Sequence, residues 1–401
     1  MTVPRVRKSI RDLEAAYSQG DKAELETLIR AFAGIQKLQP NDPNSFFKIA
    51  GYHGEPFRGA GWGNPQWWGG FCAHGNVLFP TWHRAYLLRL EDALRSIKGC
   101  ENFALPYWNE LDEATQQNGI PPTFLKKTFT LDGKDIPNPL YAYKFQKGVW
   151  DNLSGSGDFD YSKPPDYVTV RHPFSGLVDP KHIEGTEAYN AQLESRGEAF
   201  VNAQLNENVQ NWLMGAGLPP QNGTRDKYHR SLTAPNYTVF SNTTSATQWN
   251  EDSFNYDPNW RPRGDRAIPP EVVVPLESPH NEIHLAIGGF TSGADPDKVT
   301  GSNGDMGEND TAAFDPIFFF HHCFVDYVFW QWQQKHNSTK ELEIIPEYPG
   351  TNSVDSQGPP AGMSANVWLD LNTPLDPFKN PDGKAYTSKV SICIYQLTDI
   401  S

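Results

Sequence analysis

Apolar residues recur at helical spacing in three stretches of the first hundred residues. Residues 9–37 carry an intermittent apolar face, and residues 44–53 form a second, shorter stretch. Residues 79–99 show the clearest amphipathic pattern, with Pro80 near the start and Gly99 near the end, as is typical of helix boundaries. We therefore predict three helices here. The apolar face of the third consists of Leu87, Leu90, Leu94 and Ile97.

The rest of the chain alternates polar, turn-rich stretches with apolar ones. Residues 110–265 are rich in Pro, Asn, Gly and Asp and lack strong periodicity, so we interpret them as long surface excursions and not as a separate domain. Regular structure is predicted again at 271–287, and the apolar residues 313–333 predict a buried helix. From about residue 340 the chain is dense in Pro and Asn, and we expect it to finish with a strand near 388–397.

These patterns predict a mainly α fold in a single domain, residues 1–401. The expected architecture is a central helical bundle with the functional site in its middle, surrounded by long loops and a few short strands. The core that holds the site is predicted to span about residues 45–335, and residues 336–401 to form a C-terminal wrap.

Charge and composition narrow the classes of partner. The 401-residue chain has a net charge of −14, which argues against nucleic acid or an anionic membrane surface. No run of about 18 apolar residues predicts a membrane span, and the N-terminal residues do not resemble a secretory signal. We expect a cytoplasmic protein, although six Asn-x-Ser/Thr sequons mildly oppose this location. Self-association into a homo-oligomer is left open by the sequence.

Eleven histidines are present, and several lie at the ends or on the faces of the predicted helices. His280 and His284 stand four residues apart in a helical stretch, so both imidazoles share one face and can converge on one metal ion. His83 opens the amphipathic helix, His74 lies nine residues earlier, and His53 ends the second helix. A single histidine on an apolar face is more often a hydrogen-bonded core residue, so the inference of a metal site depends on the whole set.

The buried helix adds a further histidine. His322 and Asp326 repeat the four-residue spacing, and the carboxylate is expected to orient a ligand imidazole. His321 precedes His322, and adjacent residues on a helix cannot both face one ion. With no Cys-x-x-Cys motif in the chain, an all-imidazole set suits Cu, Zn, Fe or Ni. A hydrolytic zinc site normally uses three protein ligands, whereas six histidines suit two ions that change redox state, such as a copper pair that binds dioxygen.

Four segments resemble the copper-binding motifs of the tyrosinase and polyphenol oxidase family, most of all those of fungal tyrosinases. The first two are GYHGEPF (51–57) and FCAHGNVLFPTWHRAYLLRLEDAL (71–94), and the second two are PLESPHNEIHLAIGG (275–289) and AAFDPIFFFHHCFVDYVFWQWQ (312–333). The family pattern D-P-x-F-x3-H-x3-D fits Asp315 through Asp326 and selects His322, not His321, as the ligand. The resemblance extends from about residue 45 to about residue 378.

This resemblance implies the family's four-helix bundle, two copper ions and dioxygen as co-substrate. The implied ligands are His53, His74 and His83 for the first copper and His280, His284 and His322 for the second. It also implies a covalent thioether between Cys72 and His74, as in the fungal and plant branches of the family. The alternative for Cys72 is a buried free thiol. The four cysteines of the chain are too few to staple it with disulfides.

Glu277 and Asn281 are the candidate catalytic residues. By resemblance, they together hold a water molecule that takes the proton from an incoming phenol. A phenol with a pKa of about 10 is neutral at pH 7, and only the phenolate coordinates copper well. A structural carboxylate at a helix N-terminus is an equally common use of a residue such as Glu277. Tyr327 stands where the family commonly has an arginine, which leaves the ion-pair partner of Asp326 open.

Three functions are compatible with such a site, all with small molecules as partners. A tyrosinase hydroxylates monophenols and oxidises diphenols, a catechol oxidase performs only the second step, and an oxygen carrier binds dioxygen without turning over phenols. We favour tyrosinase over catechol oxidase, and the chain has little room for the extra domains of a carrier. Asp305, Glu308 and Asp310 are expected to border the substrate entrance and to favour cationic phenols, unless their loop faces away from the site.

Overall fold

The computed structural model describes residues 6–62, 68–151, 160–215, 222–256, 268–289, 301–380 and 382–393. Its helices are α1 (Ile10–Ser18), α2 (Ala23–Lys37), α3 (Phe46–Gly51), α4 (Phe79–Arg95), α5 (Glu113–Asn118), α6 (Ile183–Glu194), α7 (Glu198–Met214), α8 (Thr224–Ser231), α9 (Tyr237–Ser241), α10 (Thr243–Phe254), α11 (Glu277–Gly288), α12 (Ile317–Lys335) and α13 (Ser388–Cys393). Two antiparallel hairpins pair β1 (Thr128–Leu131) with β2 (Lys134–Pro137) and β3 (Pro374–Lys379) with β4 (Ala385–Thr387). The mainly α fold predicted from the sequence is confirmed.

Helices α2, α4, α11 and α12 form the central bundle. Helix α12 packs against α4 and α11, and α4 packs against α2. Residues 317–326 of α12 are all buried, which is typical of a helix that is surrounded by protein on every side. One hydrophobic core contains side chains from Ile10 to Phe378, so the C-terminal residues pack on the same core as the first helix.

Local sequence signals set the ends of the helices near the site. The Ser45 side chain accepts a hydrogen bond from the Lys48 amide and caps α3. Pro80 occupies the first turn of α4, where backbone N–H groups have no acceptor within the helix, so its missing N–H costs no helical hydrogen bond. Helix α11 ends at Gly288 and is followed by Gly289, whose φ of +64° is a left-handed conformation that glycine adopts without strain.

The first predicted helix is two helices in the structure. The stretch at 9–37 is interrupted between α1 and α2, where Gly20 has a φ of +99°. The other two helices of this region form within the predicted stretches, with α3 covering part of 44–53 and α4 most of 79–99.

The prediction of surface excursions at 110–265 was wrong, because this region contains helices α5 to α10. Helix α7 packs against α11, and the Asn208 side chain donates a hydrogen bond to the Ala286 carbonyl oxygen. The fully buried positions of α7 are Leu205, Val209 and Leu213, a narrow stripe within a polar sequence. Tertiary packing of that stripe, more than helix propensity, stabilises the helix.

The C-terminal residues lie over α4. The Trp82 indole donates to the Asp376 carbonyl oxygen (2.8 Å), and the Val77 amide donates to the Gly350 carbonyl oxygen (2.9 Å). The strand predicted near 388–397 was wrong for its described part, which is helix α13, and residues 394–397 lie outside the described residues. Across the described ranges, no helix has the length and apolar character needed to cross a membrane.

A buried network of ion pairs joins the N-terminal segment, α4 and α12. The Asp326 carboxylate accepts hydrogen bonds from Arg84 (2.7 Å) and Arg7 (3.0 Å), and Arg7 also donates to Glu91 (2.8 Å). All four side chains are at most 6% exposed. Removal of one partner from such a network leaves the others buried without compensation.

We therefore predict that Asp326→Ala lowers the free energy of unfolding by about 3–5 kcal/mol, because the buried Arg84 guanidinium loses its carboxylate and Arg7 loses one of its two. The exposed pair of Lys8 and Glu24 is the control: Glu24→Ala should change stability by about 0–1 kcal/mol. Urea unfolding of the metal-free protein measures both. Equal, small losses in the two variants would contradict a structural role for the Asp326 network.

Candidate metal centre

Three histidines of the two central helices converge on one point. His280 and His284 lie one turn apart on α11, and His322 faces them from α12. Their Nε2 atoms form a triangle with sides of 3.1, 3.2 and 3.2 Å. The centre of such a triangle is about 1.8 Å from each nitrogen, so all three nitrogens could bind one metal ion at the usual imidazole bond length of about 2.0–2.1 Å.

Hydrogen bonds on the far side of two of these rings explain why the triangle needs a cation. His284 Nδ1 donates to the Met306 carbonyl oxygen (2.9 Å), and His280 Nδ1 donates to Asn281 Oδ1 (2.9 Å). Each neutral ring then presents a lone pair on Nε2. Two lone pairs that face each other at 3.1 Å repel, and a metal ion between them removes the repulsion. The donor set therefore fits a metal ion.

Three further histidines form a second trio around α3 and α4. His53 follows α3, His74 lies in the loop before α4, and His83 lies in the second turn of α4. Their ring centroids are 5.1–5.6 Å apart. His53 Nδ1 donates to the Asn309 carbonyl oxygen (3.0 Å) and His83 Nδ1 to the Phe79 carbonyl oxygen (2.8 Å). The Nε2 atoms of His53 and His83 are buried and have no hydrogen-bond partner among the described residues, as expected of atoms that bind a metal ion.

The two trios face each other across a short gap. His83 and His322 stack with ring centroids 4.6 Å apart, and the centroids of His74 and His280 are 5.9 Å apart. Phe318 packs against His322 at 4.0 Å and Phe79 against His83 at 4.8 Å, so apolar rings border the histidines. The arrangement can hold two ions close together in a water-poor environment.

All six imidazoles are held in the neutral form that binds metals. Burial lowers the pKa of His53 and His284 to about 3, and the neighbouring imidazoles add to this effect. The pKa values of the other four are also well below the usual 6.5, for the same reasons. The set consists of neutral nitrogen ligands, which copper and zinc accept readily.

A cavity of about 410 Å³ opens over the two trios. His74, His280 and His284 form part of its wall, together with Glu277 and Asn281. The remaining wall includes Trp68, Thr243, Thr244, Leu285, Asn309 and Ser356. A small aromatic molecule therefore has access to the histidines.

Glu277 joins two walls of this cavity. One carboxylate oxygen accepts from the Gly75 amide (2.7 Å), and the other accepts from the amide and the hydroxyl of Thr243 (2.8 and 2.9 Å). Burial raises the pKa of Glu277, while these donors partly oppose the shift. A carboxylate has about four acceptor positions, so three protein donors leave one for a water molecule. Asn281 is exposed at the cavity and bonds to His280, and the structure describes no direct contact between Asn281 and Glu277.

The C-terminal wrap also contributes to the site. The Gln357 side chain accepts a hydrogen bond from the His74 amide (2.8 Å) and donates to the Trp68 carbonyl oxygen (3.2 Å). Gln357 is fully buried. It therefore fixes the loop that carries His74, a contact between residues 283 positions apart for which the sequence gives no signal.

His321, which the motif excludes as a ligand, has a partner that sequence analysis missed. Its Nδ1 lies 2.6 Å from Glu110 Oε1, and the other oxygen of Glu110 accepts from the Tyr228 hydroxyl (2.7 Å). The ring of His321 stacks on His280 at 5.2 Å. One ring nitrogen of His321 also lies within 4.8 Å of ring nitrogens of His280, His284 and His322, and its Nε2 is buried without a hydrogen-bond partner among the described residues. Glu110 lies in the region that we had interpreted as surface excursions, which is why it was overlooked.

Asp326 does not take the role predicted for it. Its carboxylate bonds to Arg84 and Arg7, and the described contacts include no hydrogen bond from His322 to Asp326. On α12 a residue four positions after His322 lies on the same side, but the two arginines are stronger partners for a buried carboxylate than a neutral imidazole. The sequence left the ion-pair partner of Asp326 open, because Tyr327 stands where the family commonly has an arginine. In the structure Arg84 and Arg7 are the partners of Asp326.

The acidic loop is structural as well. Asp305 and Asp310 are 1% and 2% exposed, so they do not lie in solvent at an entrance. Asp310 bonds to Arg58 (2.6 Å) and Asp305 to the Tyr167 hydroxyl (2.6 Å). Glu308 is partly buried, and burial beside Asp310 raises its pKa to about 8. The expectation that Asp305 and Asp310 are exposed at the entrance was therefore wrong, although Met306, Gly307 and Asn309 of the same loop line the cavity, and a preference for cationic phenols stays a prediction.

Cys72 lies at the first trio. Its thiol donates to the His53 carbonyl oxygen (3.0 Å), and Cys72, His53 and His74 have potential ligand atoms within 4.8 Å of one another. Burial raises the pKa of the Cys72 thiol to about 12. Cys100 and Cys323 are also buried and free.

Comparison with known proteins places the chain in a family. The model of the common central domain of tyrosinase matches residues 43–335. A tyrosinase of Aspergillus oryzae is 48% identical over 395 residues, covering 96% of this chain and 70% of the relative, and a tyrosinase of Hahella is 48% identical over 406 residues with the same coverage. The solved structure of a Burkholderia thailandensis tyrosinase at low pH superposes with a TM-score of 0.84 at 49% identity, over 98% of this chain and 74% of that one.

The chain belongs to the tyrosinase family. The resemblance to fungal tyrosinases found in the sequence is confirmed, and a bacterial relative is equally similar. The chain is an oxidoreductase of the type-3 copper class that acts on phenols.

Proposed function

We propose that the chain hydroxylates monophenols at the ortho position and oxidises the resulting o-diphenols to o-quinones, with dioxygen as co-substrate. The observation that carries this proposal is the pair of facing trios of neutral imidazoles beneath an open cavity. His53, His74 and His83 would hold one copper ion, and His280, His284 and His322 would hold the other. When bound, the two ions would transfer electrons from the phenol to dioxygen.

The protein's own groups would bind the phenol and manage its proton. The cavity over the histidines has room for one ring, with Leu285 and the Trp68 ring as apolar surfaces and the threonine hydroxyls as polar ones. Asn281 lies beside His280 at the surface of this cavity, and Glu277 has one acceptor position left. A water molecule between them would accept the phenol proton near the second ion.

A catechol oxidase without monophenol hydroxylation is the second candidate, and the surroundings of Glu277 favour it. Three donors already hold the carboxylate, which is what a purely structural residue requires. Each donor stabilises the ionised form of Glu277 and so partly opposes the rise in its pKa on burial, which makes it a weaker base than a buried carboxylate without donors. The two candidates differ only in the monophenol step, so paired substrates separate them.

The first test is metal content and its dependence on the six histidines. We expect two copper ions per chain, and loss of one ion together with activity in His83→Ala and in His284→Ala, because each trio loses a ligand. His336 is the control, since it bonds to the Leu232 carbonyl oxygen and stacks on Trp332 away from the trios. His336→Ala should retain both ions. A single ion per wild-type chain, or zinc alone in active protein, would contradict the dinuclear copper assignment.

The second test separates the two candidate functions through Asn281. Asn281→Ala should lower the monophenol rate several-fold more than the diphenol rate, because a catechol has a lower first pKa and depends less on a positioned base. Asn208→Ala is the matched control: it removes an amide that bonds to α11 from outside the cavity, and it should affect both rates equally. Initial rates with one monophenol and its o-diphenol give the ratio. An unchanged ratio in Asn281→Ala would assign a structural role to this residue.

The third test concerns a covalent bond between Cys72 and His74, which we propose to form on exposure to copper and dioxygen. The thiol hydrogen and one ring hydrogen would be lost to the oxidant, so the intact mass should fall by two hydrogen atoms and a cross-linked peptide should join the two residues. Cys100 and Cys323 provide the internal control, because both should react with an alkylating agent after denaturation. Alkylation of Cys72 in mature, active enzyme would exclude the thioether.

A further inference from the structure

One short segment touches both trios of histidines. The Met306 carbonyl oxygen accepts from His284 Nδ1 (2.9 Å), and the Asn309 carbonyl oxygen accepts from His53 Nδ1 (3.0 Å). These two carbonyls are three residues apart, yet His284 belongs to one trio and His53 to the other. The orientation of one imidazole in each trio therefore depends on the same backbone segment, residues 305–310, which we call the bridging segment.

The acidic side chains at the two ends of this segment hold it in place. At one end, the Asp310 carboxylate accepts from Arg58 (2.6 Å) and from the Gly69 amide (2.8 Å). At the other end, the Asp305 carboxylate accepts from the Tyr167 hydroxyl (2.6 Å) and the Val170 amide (2.8 Å). Because both carboxylates are buried, their hydrogen bonds are protected from competition by water.

Two glycines let the backbone of the bridging segment approach the elements that carry the histidines. A Cβ on Gly54, next to His53, would lie 2.3 Å from the Asp310 carbonyl oxygen. A Cβ on Gly288, in the last turn of α11, would lie 1.9 Å from the Gly307 amide nitrogen. The segment thus has backbone contacts with both sides of the site and little freedom to shift on either.

We propose that Asp310 and Asp305 are positioning residues for the two metal ions, Asp310 acting through Asn309 and His53 on the first ion, and Asp305 acting through Met306 and His284 on the second. This inference rests on the proposed dinuclear site. A carbonyl that accepts from Nδ1 fixes the tautomer and the orientation of the ring, so a displaced carbonyl weakens the ligand. Asp305 and Asp310, which we expected to attract substrates, would instead fix the positions of one ligand of each ion.

The test is copper retention in the full-length, copper-loaded protein. Asp310→Asn retains an acceptor for the Gly69 amide but loses the charge that holds Arg58. Loss of about tenfold or more in affinity is typical when a partner of a ligand is removed. We expect a chelator to remove one of the two ions about tenfold faster than in wild type. Two close Cu(II) ions couple and give no EPR signal, so the partly depleted variant should show the signal of an isolated Cu(II) ion.

Double variants identify which ion is affected. Combined with His284→Ala, which disables the second trio, Asp310→Asn should leave almost no copper after chelation. Combined with His53→Ala, it should retain the same single ion as His53→Ala alone, because both changes act on one trio. Asp305→Asn should show the reverse pattern, with its ion lost from the trio of His284.

Glu91→Gln is the matched control. Glu91 is as buried as the two aspartates and pairs with Arg7 and Arg95, but within the described part of the chain it has no hydrogen bond to a residue that holds a histidine ring. It should lower the melting temperature of the metal-free protein and leave copper release unchanged. If Asp310→Asn does not fold, Arg58→Lys takes its place, since it keeps Asp310 and a positive charge and should give a smaller acceleration at the same ion.

Two results would overturn the inference. One is an Asp310→Asn protein that loses stability as Glu91→Gln does, yet releases both ions at the wild-type rate and remains EPR-silent. The other is a faster release that is equal at both ions in the double variants. In either case a wild-type protein that holds two copper ions and oxidises phenols would leave the proposed function intact. A wild-type protein without copper would refute the proposed function itself.

Discussion

The structure depends on keeping six neutral imidazoles close together, four of them with Nδ1 hydrogen bonds that leave the Nε2 lone pair free. Without an ion, this arrangement is unfavourable, because the Nε2 atoms of His280 and His284 face each other at 3.1 Å with no hydrogen between them. Much of the surrounding structure opposes this repulsion. Backbone carbonyl oxygens accept hydrogen bonds from Nδ1 of His53, His83 and His284. Phe318 packs against His322 and Phe79 packs against His83. These contacts keep the histidine rings close together without a bound metal ion.

The elements that supply the ligands were predictable because their signals are local. The four-residue spacing of His280 and His284 indicated one face of a helix, and the spacing within the D-P-x-F motif selected His322 over His321. In the structure His322 stacks on His83 of the other trio and His321 Nδ1 bonds to Glu110, while both histidines lie near His280 and His284, so the choice of His322 as the ligand stays a prediction. The two principal helices, α4 and α12, were also predicted, since each carries a long apolar pattern and clear boundaries.

The features that sequence analysis missed depend on contacts between distant residues. Met306 and Asn309 contribute backbone carbonyls, which carry no side-chain signature. Helix α7 is stabilised by a stripe of only three buried residues, too few to stand out in a polar stretch. Three carboxylates in one loop suggested solvent exposure, and nothing local indicates that Arg58 and Tyr167 lie 2.6 Å from two of them. Asp326 was misassigned for the same reason, because its partner Arg7 is 319 residues away.

The contact of Gln357 with the His74 loop has a consequence for the order of events during synthesis. A ribosome makes the chain from its N-terminus, so His53, His74 and His83 emerge long before the residue that fixes the backbone of His74, 283 positions later. The nascent chain can form α4 early, but the loop before it gains its final anchor only when the wrap has been made and has docked. The trio of His74 thus reaches its final geometry only after the wrap has docked, and not when the helix that carries His83 folds.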